Sequence, residues 1–320
     1  MKIISRNKLF FLGLAGLFFT SVFGQSGRVV TITIDDLPVV SRHFKDIESW
    51  QTVTSKIIKH LKAEQVPGIG FVNENKLYRD DILDEQRLNL LQQWLDNGLE
   101  LGNHTFSHRS LHNISVEEYS ADVLKGETHL KPMIEKNGGK LEFFRHPYLQ
   151  TGRTLEIKAQ LDSFLTAHNY RIAPVSMDNS EWTYAFAYDQ AESQNDTEMM
   201  QRIGDAYLEY MTAVFAYFEQ QSVALFGYEL KQILLIHANR LNADYLGKLL
   251  KILKERGYKF IALNEALSDP AYQKKDTFTG NSGITWLHRW ALGEGKKGDF
   301  FKGEPEVTDF VQAYFDQHIR

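Results

Sequence analysis

The 320-residue chain contains no cysteine. This absence excludes disulfide bonds, thiolate metal ligands, a cysteine nucleophile and lipid attachment at an N-terminal cysteine. The stability of the fold therefore has to come from packing alone.

The chain also lacks a long basic run. Lysine and arginine number 36 against 41 aspartates and glutamates, which gives a formal net charge of -5. A nucleic-acid partner or an anionic membrane surface is therefore not expected. No internal repeat or low-complexity tract is visible, and the length suits one large α/β barrel or two smaller domains.

The N-terminus differs from the rest of the chain. Lys2, Arg6 and Lys8 precede an apolar run over 9–19, and small residues suited to cleavage follow up to Gly24. The run is short for a membrane span, so residues 1–24 are interpreted as a secretory signal peptide. The alternative is an uncleaved N-terminal anchor. Cleavage would change the formal charge from -5 to -8, and we expect a periplasmic or secreted protein with no stable membrane insertion.

Short β-rich runs alternate with helical stretches after the predicted signal peptide. One helix is expected at about 47–63, and the alternation predicts a mainly parallel sheet, either a barrel or a doubly wound sheet. We expect a main domain at 25–270 that contains a helical insertion at about 183–230. Residues 271–320 form a predicted C-terminal extension.

Five predicted strands end in ionisable or polar residues. Because the carboxyl ends of parallel strands meet at one face, these residues are expected to form one site. The five clusters are TIDD (33–36), HTFSH (104–108), RHPY (145–148), DNSEW (178–182) and LLIH (234–237).

His104, His108 and Asp36 form a candidate metal site. The four-residue spacing lets both imidazoles reach one ion if the segment makes a helical turn. Two histidines and one carboxylate are typical ligands of a catalytic zinc site. Adjacent aspartates repel each other unless a cation is shared, which favours a metal at Asp36 and leaves Asp35 as a base. The alternatives are a pair of surface histidines and a helix N-cap at the two aspartates.

Arg145 and His237 also follow buried strands. Arg145 is expected to pair with Asp35 and hold it ionised, and its alternative role is a structural salt bridge. His237 could donate a proton to a leaving group, and its alternative role is that of a packed core residue.

The five clusters, in this order, resemble the motifs of the polysaccharide deacetylases with NodB homology, the carbohydrate esterase family 4. The resemblance covers roughly residues 28–265. It implies a distorted (β/α) barrel with fewer than eight units. It also implies a divalent metal, usually zinc, on Asp36, His104 and His108.

The resemblance extends to the roles of individual residues. It implies that Asp35 is the general base, that Arg145 orients it and that His237 is the general acid. It further implies that the Tyr148 backbone N–H stabilises the oxyanion and that Leu235 and Trp182 line the acetyl pocket. Asp178 would be the carboxylate that tunes the acid–base pair. Glu181 stands where the fourth motif commonly has aspartate, so the tuning carboxylate is Asp178 or Glu181.

The sequence thus predicts an exported, metal-dependent deacetylase that removes N-acetyl or O-acetyl groups from a glycan. One alternative is an amide or imide hydrolase of the same barrel family that acts on a small non-sugar substrate, although the predicted signal peptide argues against it. The other is a catalytically inactive glycan-binding relative. The glycan, the native metal and the oligomeric state are not predicted.

Overall fold

The computed structural model of the chain describes residues 27–319, so the predicted signal peptide lies outside the described residues. None of the helices in this part of the chain has the length and apolar character that a membrane crossing requires.

The described residues form an alternating α/β structure. Its strands are β1 (Val29–Leu37), β2 (Ile69–Val72), β3 (Tyr78–Arg79), β4 (Ile82–Leu83), β5 (Glu100–Asn103), β6 (Phe143–Phe144), β7 (Arg171–Ile172), β8 (Gln232–His237) and β9 (Lys259–Phe260). Its α-helices are α1 (Ile47–Ala63), α2 (Glu85–Asp96), α3 (Val116–Lys125), α4 (Leu130–Lys136), α5 (Leu155–Ala167), α6 (Glu181–Ser193), α7 (Thr197–Phe226), α8 (Arg240–Glu255), α9 (Leu263–Ala266), α10 (Trp286–Gly293) and α11 (Asp309–His318).

The main sheet is parallel, with the strand order β7-β6-β5-β2-β1-β8, and β9 pairs with β1. The chain after β7 closes the sheet on its open side, because Met177 forms a parallel bridge to Leu234 of β8. The result is a curled, distorted barrel with fewer than eight strand–helix units. The predicted fold class is therefore confirmed.

Strand β1 pairs with β2, β8 and β9 in this barrel and carries the first predicted motif. Its apolar residues Val30, Ile32 and Ile34 are fully buried, as expected for a strand covered on both faces. The pairing with β2 shifts register between Ile34 and Leu37, and Asp36 has a φ of 70°. A left-handed residue at a register shift therefore interrupts the regular extended geometry at the end of β1.

Helix α1 has the bounds that the sequence predicts. The side chain of Asp46 accepts a hydrogen bond from the Ser49 N–H, which caps the first turn. Val53, Ile57 and Leu61 follow at four-residue spacing and are buried against the sheet.

The predicted helical insertion consists of α6 and the 30-residue α7. Most of its aromatic side chains pack inside the protein, as the three- and four-residue spacing favours. Tyr184, Tyr207 and Phe215 are fully buried, and the Tyr184 and Tyr210 rings stack with centroids 5.1 Å apart. These rings therefore support the fold.

The segment after residue 270 packs back onto the barrel. The Trp286 N–H donates to the Val175 carbonyl at 2.8 Å, next to the strand segment that closes the sheet. Helix α11 packs on α6, where the Phe315 ring contacts Trp182 and Phe186 at centroid distances of 5.5 and 4.8 Å. The C-terminal residues thus reach the face of the barrel where the strand ends meet.

Candidate active site

Asp36, His104 and His108 come together at the carboxyl ends of β1 and β5. One potential ligand atom from each lies within 4.8 Å of the other two. The Asp36 Oδ1 atom lies 3.8 Å from His104 Nε2 and 3.5 Å from His108 Nε2. Two imidazole nitrogens and a carboxylate oxygen at this separation match the three-ligand arrangement of a catalytic metal site.

The hydrogen bonds around these side chains leave the ligand atoms available. His104 Nδ1 lies 2.8 Å from the Arg145 carbonyl, an acceptor, so Nδ1 carries the proton and Nε2 keeps its lone pair. The buried Asp36 Oδ1 has no hydrogen-bond donor among the described residues. Burial lowers the pKa of both histidines, well below the usual value for His104, so both rings are neutral, the form that binds metals. These residues therefore fit a divalent ion.

The loop that carries the histidines differs from the expected helical turn. Residues 104–108 are irregular, with positive φ at Thr105 (66°) and His108 (54°). The Thr105 N–H donates to the Asn103 side chain at 2.7 Å, and the His108 N–H donates to the Thr105 hydroxyl at 3.0 Å. Residues 104–108 therefore do not form the helical turn that the spacing permits, because these local side-chain bonds replace helical backbone bonds. The two rings nevertheless contact each other with centroids 4.8 Å apart.

Asp35 lies beside this trio and is paired with Arg145. The Arg145 guanidinium donates to Asp35 Oδ2 at 3.3 Å and to the Thr33 hydroxyl at 2.9 Å, and both charged side chains are almost fully buried. Burial raises the pKa of Asp35 to about 6, although the Arg145 charge opposes the increase. A carboxylate with a pKa near neutrality can both accept and release a proton.

His237 ends β8, next to Asp35 in the register of β1, and is held by Glu181. His237 Nδ1 lies 2.7 Å from Glu181 Oε2, and the amides of Asn239 and Asn242 donate to the other oxygen of this fully buried carboxylate. Burial alone would lower the pKa of His237, but the hydrogen bond and charge of Glu181 outweigh it and raise the pKa to about 9. His237 is therefore protonated at neutral pH.

Asp178 also lines the site, but its described hydrogen bond comes from the neighbouring Asn179 N–H at 2.9 Å. Burial raises its pKa. Of the two candidate carboxylates, Glu181 makes the direct contact with His237, and the assignment of the tuning role to Asp178 stays a prediction.

The Tyr148 backbone is shaped by residues of the C-terminal segment. Tyr148 and Leu149 have φ values of 55° and 51°. The buried Arg289 guanidinium donates to the Leu149 carbonyl, and it also pairs with Asp276 at 3.0 Å. Gly283 lies so close that a Cβ atom on it would be 1.7 Å from the Tyr148 carbonyl oxygen. The unusual Tyr148 backbone is thus held by contacts distant in sequence.

A cleft of about 970 Å³ joins these groups. Nine of the ten predicted site residues line it, and the tenth, Arg145, lies buried beneath Asp35. Leu235 is nearly buried, whereas Trp182 is 52% exposed. The C-terminal segment contributes the wall formed by Glu304, Pro305, Glu306, Val307, Asp309 and Gln312.

Some residues of the site were not predicted. Lys76 donates to the Asp36 carbonyl at 2.7 Å, and its ammonium lies 3.6 Å from Asp36 Oδ1. Its charge holds the pKa of Asp36 below its usual value, against the opposing effect of burial. Nothing in the sequence around Lys76 indicates this contact. The same holds for Gly283 and Arg289, which reach the site only through tertiary packing.

Part of the chain is similar to a known protein family. Residues 24–163 match the family model described as polysaccharide deacetylase. This part of the chain is similar to the polysaccharide deacetylases. The resemblance expected from the five motifs is therefore confirmed.

A curated relative is the peptidoglycan-N-acetylglucosamine deacetylase of Bacillus cereus, which is 29% identical over 154 residues. The match covers 48% of this chain and 46% of the relative, so the chain spans about half the length of this curated relative.

Solved structures of similar proteins include the Bc1960 peptidoglycan N-acetylglucosamine deacetylase, with 22% identity, a TM-score of 0.49 and coverage of 76% of this chain and 89% of that one. They also include a carbohydrate esterase family 4 pseudoenzyme from Bacillus anthracis, with 17% identity, a TM-score of 0.47 and coverage of 76% and 66%.

Proposed function

We propose that this protein is a metal-dependent glycan deacetylase that hydrolyses N-acetyl or O-acetyl groups and releases acetate. The observation that carries the proposal is the arrangement of three functional groups in one cleft. The Asp36–His104–His108 trio lies in this cleft together with Asp35, which pairs with Arg145, and His237, which Glu181 holds. A metal site flanked by a base and an acid suits hydrolysis of an amide or ester.

The trio is proposed to bind a divalent cation, and we assign zinc because two imidazoles and a carboxylate suit that ion. When bound, such an ion polarises the scissile carbonyl and makes water more acidic. His104 would be held in the binding orientation by its Nδ1 hydrogen bond to the Arg145 carbonyl.

Proton transfer is assigned to Asp35 and His237. Asp35 accepts a proton from the attacking water, and Arg145 keeps the carboxylate oriented through its 3.3 Å contact. His237 donates a proton to the leaving nitrogen or oxygen. Its Nδ1 is engaged by Glu181, which leaves Nε2 for the cleft.

The remaining predicted residues would bind the substrate. The Tyr148 backbone N–H is proposed to stabilise the oxyanion, a contribution of about 3 kcal/mol for a typical donor. Leu235 and Trp182 would contact the acetyl group, and both line the cleft. Asp178 would act electrostatically on the acid–base pair, in addition to Glu181.

We also propose that the protein acts outside the cytoplasm, because its N-terminal sequence has the features of a signal peptide. N-terminal sequencing of the mature protein tests this part. Cleavage after Gly24 is expected, and an intact N-terminus in the mature protein would contradict it.

Acetate release tests the activity directly. The metal-loaded protein should release acetate from at least one of four substrates: chitin oligosaccharides, peptidoglycan, acetylated xylan or an acetylated exopolysaccharide. A cyclic imide or ureide serves as the comparison substrate. Turnover of the imide without acetate release from any glycan would favour the small-amide hydrolase, and sugar binding without any turnover would favour an inactive relative.

A further inference from the structure

A second cavity opens beside the proposed catalytic groups. It has a volume of about 350 Å³ and shares Asp36, Trp182 and His237 with the main cleft. Its walls include six apolar side chains, which we call the apolar groove: Val40, Trp182, Ala185, Phe186, Phe315 and Ile319. The polar residues Ser41, Arg42, Asp189, Asn239 and Arg240 complete its lining, but most of its surface is hydrocarbon.

One face of helix α6 forms the inner wall of the apolar groove. Trp182, Ala185, Phe186 and Asp189 lie three or four residues apart, so their side chains share one side of the helix. Phe315 of α11 covers this face from the other side through its contacts with Trp182 and Phe186. The apolar groove therefore exists only because α6 and α11 pack together.

Part of the apolar groove is exposed to water. Val40 is 37% exposed, Trp182 52% and Ile319 48%. Apolar side chains that cluster beside a polar reaction site and remain exposed are typical of a ligand-binding surface. Isolated exposed apolar residues would carry no such meaning.

The outer wall is fixed to α6 by hydrogen bonds. The Asp189 carboxylate accepts from the Ser41 hydroxyl at 2.7 Å and from the backbone N–H groups of Arg42 and His43 at 3.0 and 3.1 Å. The loop that carries Val40 is therefore tied to α6, and the groove is formed before any ligand arrives. A preformed site loses less free energy to ordering on binding.

The contrast between the two cavities suggests how a substrate would lie. The scissile carbonyl would lie between Asp36 and His237. It carries the sugar, through nitrogen or oxygen, on one side and the acyl chain on the other. The main cleft is lined by Asp178, Asn179 and Glu304 among other polar groups, which suits a hydroxyl-rich sugar. The apolar groove suits a hydrocarbon chain.

We propose that the apolar groove binds the acyl chain of the scissile amide or ester, and that the protein accepts acyl groups longer than acetyl. This inference rests on the proposed hydrolase function. It assigns the groove's residues to specificity for the acyl group, with the sugar in the main cleft.

The test compares a series of glucosamine oligosaccharides that carry acetyl, butanoyl or hexanoyl groups. With the metal-loaded protein, kcat/KM should rise from acetyl to hexanoyl by up to roughly fourfold for each methylene that becomes buried. A steady decrease in kcat/KM with chain length, alongside clear acetate release, would overturn the groove assignment and leave the deacetylase proposal standing.

A substitution that fills the apolar groove provides the second part of the test. Ala185 is 8% exposed, and Ala185→Leu adds hydrocarbon inside the groove. The variant should lower the ratio of hexanoyl to acetyl turnover by at least tenfold, which is about the effect of losing the burial of two methylenes. Ala213→Leu makes the same change at an exposed position of α7 and should leave the ratio unchanged. Equal ratios in the three proteins would overturn the proposal.

Binding of the carboxylate products gives a readout that does not need turnover. Hexanoate should bind the metal-loaded protein at least tenfold more tightly than acetate by calorimetry, and Ala185→Leu should remove this preference. Equal affinities for the two acids would overturn the groove assignment. Absence of all glycan hydrolysis together with a clear hexanoate preference would overturn the deacetylase proposal alone.

Discussion

The hydrogen bond between Glu181 and His237 allows a quantitative prediction. Glu181→Gln keeps the shape of the side chain but removes the negative charge 2.7 Å from His237 Nδ1. Burial alone lowers the pKa of His237, and the charge and hydrogen bond of Glu181 are the main contributions that raise it to about 9. Their removal should return the His237 pKa to about 6.5, the ordinary value for histidine, or below.

The expected effect on the rate follows from the protonated fraction of His237. At pH 8, a group with a pKa of about 9 is mostly protonated, whereas a group with a pKa of about 6.5 is protonated only to about 3%. If His237 is the general acid, kcat/KM at pH 8 should fall about 30-fold, and the alkaline limb of its pH profile should move to lower pH by about 2.5 units. A cation bound at Asp36 would lower the pKa in both proteins, so the difference between them is the quantity to measure.

The assay is the pH dependence of acetate release, supported by NMR titration of the His237 ring. Asp178→Asn is the matched control, because Asp178 is a nearby buried carboxylate whose described hydrogen bond involves Asn179 and not His237. A smaller shift is expected from it. A large shift in Asp178→Asn with none in Glu181→Gln would refute the reasoning and support the assignment of the tuning role to Asp178.

The same interaction should contribute to stability in a defined pH range. Because the His237 pKa is raised in the folded protein, its contribution is fully present below about pH 6.5 and is lost as the pH rises through about 9. The difference in unfolding free energy between wild type and Glu181→Gln should therefore shrink between these two pH values. A difference that is constant over this range would contradict the linkage.

Three further predictions concern other parts of the site. Asp35→Asn should retain the bound ion by elemental analysis but lose ~10²–10⁴-fold in kcat, and loss of the ion would contradict its assignment as a base. His104→Ala and His108→Ala should each lose both metal and activity, and full metal content in the double variant would place the site elsewhere. Gly283→Ala should displace the Tyr148 carbonyl, 1.7 Å from the new Cβ, and lower kcat with little change in metal content; an unchanged kcat would contradict the proposed role of the Tyr148 backbone.

The sequence predicted the parts of the molecule that depend on local patterns. Helix α1 combines an Asp46 cap with buried residues at helical spacing, so its bounds agree with the prediction. The meeting of the motifs follows from the parallel sheet, because strand ends converge wherever the strands run in the same direction. Asp35, Asp36, His104, His108 and His237 could therefore be placed in one site before the structure was known.

The remaining features depend on interactions that local patterns do not contain. Residues 104–108 form a loop because the Asn103 and Thr105 side chains bind the backbone, and the histidine spacing alone also permits a helical turn. Contacts of Lys76 with Asp36, and of Gly283 with Tyr148, join residues far apart in sequence. Such contacts follow only from the complete packing of the chain.

The central claim is that a cation held by Asp36, His104 and His108 is required for deacetylation. Acetate release from an N-acetylated glycan can be measured on the purified protein before chelation, after complete metal removal and after one equivalent of zinc is restored. The account predicts loss of acetate release with the metal and recovery with zinc, in proportion to the metal bound per chain. Undiminished acetate release from the metal-free protein would contradict it.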